Sequence, residues 1–337
     1  MHLEGALSPE LLFRLAAKNK VLLPAEDLAF RDPSSLAERY KRFTSLDDFL
    51  HYYYIGMSVL VDASDFEELA WDYFTRAADQ GVAHAELFFD PQAHLSRGVS
   101  YDVVLSGFSR AKKRAGLQFG ISSELICCFL RHLPAQDGLA LIHFDEVRTS
   151  LRNGDVIGIG LDSSEVEFPP ELFKSIYEVA GDLGVKRTAH AGEEGPAAYI
   201  KNALDHLLVD RIDHGIRLAE DRELLKRVAE ERILLSVCPI SNVFLRCVDS
   251  VRDLPIRAFL EHGVRFSINS DDPAYFGGNY ILDNYCAVQD AFNLDVDTWR
   301  RICNDSIQSS WCSEQRRDEM LRQLHESIKE WQPAGIV

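Results

Sequence analysis

Gly184-Val185-Lys186-Arg187-Thr188-Ala189-His190-Ala191-Gly192-Glu193 is a short β-branched run that ends in a histidine and a loop carboxylate, with a helical pattern behind it. Two later segments repeat the arrangement. Val209-Asp210-Arg211-Ile212 leads into Asp213-His214-Gly215, and Gly263-Val264-Arg265-Phe266-Ser267-Ile268-Asn269 leads into Ser270-Asp271-Asp272-Pro273. Histidines and acids therefore recur where a strand stops and a loop begins. In a (β/α)8 barrel that rim is where catalytic groups converge.

The same alternation fills the rest of the chain. Strands are expected over 82–89, 124–130, 156–161 and 233–237, besides the three above, and His2 contributes an eighth segment. They are apolar on both faces and separated by helical patterns, the signature of a parallel sheet. Ser8-Pro9 opens a helix with a cap and a first-turn proline. Ser64-Asp65-Phe66-Glu67 reads as a capping box. Helix 101–115 is expected to stop at Gly116. A helical insertion spans about 34–62, and residues of about 280–331 read as helical throughout. No linker divides the elements. The expectation is an α/β (β/α)8 TIM barrel with extra helices, one domain over 1–337.

The 337 residues and 46% hydrophobic content supply a full core. A formal charge of −17 argues against nucleic acid or an anionic membrane surface, because both need a basic face. No apolar run approaches a membrane span. Seven cysteines without CxxC spacing, and an opening Met1-His2-Leu3-Glu4-Gly5 unlike a secretory leader, fit reduced thiols inside a cell.

His190 and Asp271 offer a nitrogen and an oxygen to a metal such as zinc, with His2 the third donor and one position left for water. A metal so held lowers the pKa of that water to about 7. His214, one strand on, suits a general base. Glu193 reaches a substrate rather than the metal. Taken alone, each group has a plainer reading. Glu193 can answer a helix dipole, His214 can be a hydrogen-bonded structural histidine, and Asp271-Asp272-Pro273 can be a turn. His84, His94 and His132 are read as structural, and Tyr52-Tyr53-Tyr54 as core or pocket wall. Cys238-Pro239-Ile240-Ser241-Asn242 reads as a turn that braces the site. The conjunction on one rim favours a metal-dependent enzyme.

His2-Leu3-Glu4-Gly5, His190-Ala191-Gly192-Glu193, Asp213-His214-Gly215, Cys238-Pro239-Ile240-Ser241-Asn242 and Asn269-Ser270-Asp271-Asp272-Pro273 resemble the adenosine/adenine deaminases of the metal-dependent amidohydrolase superfamily. Phe88-Phe89-Asp90-Pro91-Gln92, Leu161-Asp162-Ser163-Ser164-Glu165 and Ala274-Tyr275-Phe276-Gly277-Gly278 draw the likeness toward fungal-type adenine deaminases. The resemblance covers essentially the whole chain. It implies one Zn2+ per chain on His2, His190 and Asp271, and water activated there attacking C6 of a purine. Glu193 would protonate N1, and His214 with Asp271 would manage the water proton. Asp272 would meet N7, and Ser163 and Ser164 would approach N3 by their backbone.

Where the nucleoside enzymes carry an aspartate that reaches the ribose, this chain has Glu4. One added methylene is worth about 1–3 kcal/mol of discrimination, and it favours adenine over adenosine. The resemblance further implies purine salvage in the cytoplasm, with the nucleus as a second location, and a small-molecule partner only. It does not speak to oligomeric state. It also implies a first motif with two histidines, of which one would fall before Met1. From this follows the expectation of a truncated first strand, with His2 on a poorly held chain end and weak zinc binding. Two alternatives stand: an adenosine or N6-substituted-purine deaminase, and a catalytically impaired purine-binding protein.

Overall fold

The computed structural model describes residues 1–331. The short β-branched runs become seven strands: β1 (His84–Phe89), β2 (Ser122–Leu130), β3 (Gly158–Asp162), β4 (Lys186–Ala191), β5 (Arg211–His214), β6 (Leu234–Val237) and β7 (Arg265–Ile268). All pair in parallel in the order β1-β2-β3-β4-β5-β6-β7. Helices follow the strands, so the sheet is covered from outside and curls into a TIM-barrel-like ring. Side chains alternate as the pleat demands. Leu87, Phe89, Leu125, Cys127 and Phe129 join the large cluster beneath the helices, while Phe88, Ile126 and Cys128 form a separate cluster inside the ring.

In the place of the eighth strand, residues 1–5 make a single parallel bridge, His2 with Phe88. That bridge still closes the ring. On the β1 side the Leu3 amide donates to Phe88 O at 2.9 Å, and the Phe88 amide to Met1 O at 2.9 Å. On the β7 side the His2 amide donates to Asp271 O at 3.1 Å, and the Ala274 amide to Gly5 O at 3.0 Å. The expectation of a poorly held His2 is therefore overturned. Its ring is 5% exposed, and the main chain on both sides of it is tied to opposite edges of the sheet.

Two helix boundaries also differ. The helix over Tyr101–Phe119 runs through Gly116 and ends at Gly120, which takes φ 69° and donates to Gly116 O. A lone glycine does not stop a helix whose apolar face continues, as it does here in Phe119, which packs on the core and stacks on Trp71. The capping box lies earlier than Ser64. Asp62 accepts from the Ser64 and Asp65 amides, and Asp65 accepts from the Asp62 amide at 3.0 Å. The insertion resolves into helices Pro33–Tyr40 and Leu46–Met57, the second leaning over the mouth of the ring. Among the described residues no helix is long and apolar enough to cross a membrane.

Gly5 lies in the seam with no room for a side chain. A Cβ there would sit 2.0 Å from Asp272 Oδ1 and 2.6 Å from its Cα. Gly5→Ala should destabilise the protein by about 1–3 kcal/mol. Gly116→Ala, where the nearest foreign atom is Ile121 O at 3.6 Å, should stabilise it by about 0.5–1 kcal/mol. Urea midpoints of the two variants, measured side by side, check both signs.

Candidate active site

The strand ends carry the polar groups into the mouth of the ring. His190 lies one residue before the end of β4, and Asp213-His214 close β5. His214 (φ 62°), Asp271 (φ 58°) and Ser163 (φ 75°) adopt left-handed backbone, a conformation that costs about 1–3 kcal/mol in a non-glycine residue. It bends the chain out of strand geometry at each of these ends.

Two imidazoles meet at the centre. His2 Nε2 lies 3.2 Å from His190 Nε2, and Asp271 Oδ1 lies 3.7 Å from His2 Nε2. Behind each ring stands a carboxylate: Asp162 Oδ2 is 3.4 Å from His2 Nδ1, and Asp213 Oδ2 is 3.5 Å from His190 Nδ1. A carboxylate behind Nδ1 draws the proton to that nitrogen and leaves the Nε2 lone pair forward. Burial, then the neighbouring His190, holds His2 well below its ordinary pKa and hence neutral. Two forward lone pairs and a carboxylate oxygen, within 4.8 Å of one another, repel unless a cation lies among them. The donor set fits a divalent metal.

The support runs deeper into the ring. Thr188 Oγ1 donates to Asp213 Oδ2 at 2.7 Å, and Arg211 sits between Asp213 and Glu86. Burial alone would raise the Glu86 carboxyl, but the Arg211 guanidinium beside it holds it down at about 2. The fully buried Arg131 donates to His190 O at 2.8 Å and to Phe168 O at 2.9 Å, fixing the backbone of the ligand strand.

A second group surrounds Glu193. Its loop is gripped by Glu165, which accepts from the amides of Gly192 (3.1 Å), Glu193 (3.3 Å) and Gly195 (2.7 Å). Glu193 Oε1 lies 3.4 Å from His214 Nδ1, and Asn242 Nδ2 is 3.3 Å from both Glu193 Oε1 and His214 Nδ1. Burial, then the charges of Asp271 and Glu165, pushes the Glu193 carboxyl well above the usual range, so it holds its proton. Burial pushes His214 down to about 4 against the pull of Asp271, so it stays neutral and open to a proton. Its Nε2 is 3.8 Å from Asp271 Oδ2, which also accepts from Ser241 Oγ at 2.6 Å. The Cys238–Asn242 stretch thus steadies three site residues.

Glu193, His214, Asp271, Asp272, Ser163 and the two histidines all line one cavity. Tyr53, Tyr54, Phe49, Leu46 and Leu50 from the overlying helix form its apolar side. Asp272 Oδ1 has no partner there, and burial, then the Asp271 charge, raises its carboxyl well above the usual range. Ser163 Oγ lies 2.7 Å from His132 Nδ1 and accepts from Tyr54 OH at 3.1 Å.

Two expected contacts are absent. Ser164 is buried but does not line the cavity. Glu4 faces away from it, with Oε1 accepting from the Asp90 amide at 3.0 Å and lying 3.1 Å from His94 Nε2. Its extra methylene therefore does not crowd a sugar directly. Asp162 and Asp213 were legible as acids at strand ends, although their place behind the histidines was not. Glu165 and Arg131 act across 27 and 59 residues of chain and left no local signal.

Fold and site together define a hydrolase-type barrel with a buried donor set for a metal. The adenosine deaminase family model matches residues 1–327, and the chain belongs to that family. An adenine deaminase of Schizosaccharomyces pombe is 57% identical over 98% of this chain and 90% of its own length. A solved adenine deaminase from Arthrobacter aurescens is 42% identical, with TM-score 0.91, covering 98% of this chain and 97% of that one. An amidohydrolase from Burkhoderia ambifaria, solved with bound Zn, is 25% identical, with TM-score 0.87, covering 98% and 89%.

Asp213→Asn removes the charge behind His190. It should weaken the affinity for added zinc about 10–100-fold, read by chelator competition. Unchanged affinity would show that His190 needs no carboxylate to orient it.

Proposed function

We propose that this chain hydrolyses adenine to hypoxanthine and ammonia, using one zinc ion. The observation that carries the reading is a proton-holding carboxyl, Glu193, 3.4 Å from a neutral histidine, His214, beside the converging nitrogens of His2 and His190. A purine-binding protein without chemistry needs no such acid–base pair. The relatives named adenine deaminase, and the one solved with Zn, support the substrate and the metal.

In this reading His2, His190 and Asp271 would hold the zinc, which when bound makes its water acidic enough to attack at neutral pH. Glu193 gives its proton to ring N1 and so draws electron density from C6. His214 takes a proton from the water as the C6–O bond forms. It returns the proton to N6 as the C6–N6 bond breaks and ammonia leaves, and the remaining hydroxyl proton is shed as the C6 carbonyl forms and restores the Glu193 acid. Asp271, held by Ser241, steadies His214 through this cycle. Asp272 meets N7, and the Ser163 backbone lies toward N3. The Tyr53–Tyr54 side of the cavity covers the ring and keeps bulk water out.

Turnover of adenine and of adenosine, followed by loss of purine absorbance, tests the proposal. Adenine should be preferred by a wide margin, and a preference for adenosine would sink it. Glu193→Gln should retain metal and bind purine while losing about 10²–10⁴-fold in kcat. Asp272→Asn should also retain metal. Metal loss in that variant would mean that Asp272 rather than Asp271 is the ligand.

A further inference from the structure

The strand ends around the cavity follow a fixed cyclic order. Going from β7 through the closing segment to β4, they present Asp272, His2, Asp90, Leu130, Ser163 and Glu193. A purine ring also has a fixed cyclic order: N7, C8, N9, C4, N3, C2, N1. With N7 at Asp272 and N1 at Glu193, C6 occupies the short arc toward His214. The remaining edge must then face the β1–β3 arc. Leu130, at the end of β2, is apolar, and Ser163 lies nearest the N1 side. What remains for N9 is Asp90.

Asp90 is equipped for that position. It is 1% exposed, and its Oδ1 has no hydrogen-bond partner. Its Oδ2 accepts from Tyr53 OH at 3.4 Å, and its amide donates to Glu4 Oε1 at 3.0 Å. The neighbouring Asp162, 3.4 Å from His2 Nδ1, also stands beside Asp90 and shares the burial of the two acids, but neither of its oxygens donates to Asp90 Oδ1. A buried oxygen without a donor is costly to leave unpaired, and free adenine carries a donor at N9 that adenosine lacks. We infer that Asp90 Oδ1 accepts the N9–H of the free base and makes this chain a deaminase of the base rather than the nucleoside. The inference rests on the adenine reading above. Glu4 then acts on substrate choice through Asp90, as a positioning residue that pins the turn after β1.

The probe is 9-methyladenine, which keeps N1, C6 and N7 and replaces the N9 proton with a methyl group. A site built around a donor rejects the analogue lacking it by about 10⁴-fold, so the wild type should prefer adenine by a factor of that order in kcat/KM. Asp90→Ala removes the acceptor and opens room for the methyl group. Its kcat/KM for adenine should fall about 10²-fold while that for 9-methyladenine holds or rises, so the ratio collapses. A folding or metal defect lowers both substrates together, and an Asp90→Ala enzyme with the wild-type ratio overturns the assignment. If the alanine variant does not fold, the wild type decides alone, since comparable rates on adenine and 9-methyladenine overturn it equally. A wild type that ignores adenine and turns over adenosine sinks the adenine reading itself, a different result from either.

Discussion

Two imidazole nitrogens stand 3.2 Å apart, and much of the chain holds them there. Asp162 and Asp213 stand 3.4 and 3.5 Å behind the far nitrogens. Arg211, shared with Glu86, offsets the charge of the acid behind His190. Arg131 fixes the ligand strand by its backbone. Gathering this many ionisable groups away from water is expensive. It is tolerated because nearly every charge faces an opposite charge or a donor. Unpaired carboxylate oxygens remain on Glu4, Asp90, Asp162, Asp213 and Asp272, and those of Asp90, Asp162 and Asp272 lie at the cavity wall and behind His2, where a ligand, a metal or a proton would complete them.

Much of this architecture was legible in the order of residues. β-Branched runs ending in His190, His214 and Asp271 announced both the parallel sheet and the rim, because a strand end is a local event. The helix at Ser8-Pro9 was legible for the same reason, and Ser8 Oγ accepts from the Leu11 amide as a cap should. What escaped was tertiary. Gly116 looked like a stop, but the packed face of its helix carried it one turn further. Glu4 looked like a substrate contact because it stands where the nucleoside enzymes carry a ribose-reaching aspartate. Its backbone instead turns into a 3-10 segment, Glu4–Ala6, which directs the carboxyl under β1. Glu165 gave no sign at all, since its three partners are amides from a distant loop.

The acid–base pair shows how one environment sets two protonation states. Glu193 and His214 share a neighbour in Asn242 and both are buried. Loss of water disfavours charge on each, which raises a carboxyl and lowers an imidazole. The same physical term therefore leaves a donor beside an acceptor near neutrality, and no separate device is needed to tune either.

The closing segment has a thermodynamic consequence. Residues 1–5 provide the bonds that join β1 to the loop after β7, and the same five residues present His2 to the cavity. Local opening of this segment would break the ring and withdraw an imidazole in one event. The free energy that resists local opening and the free energy that retains a cation between His2 and His190 are then a single linked quantity. In such an arrangement a bound ion acts as a clasp for the barrel, and the ring's integrity sets an upper limit on how long the ion stays.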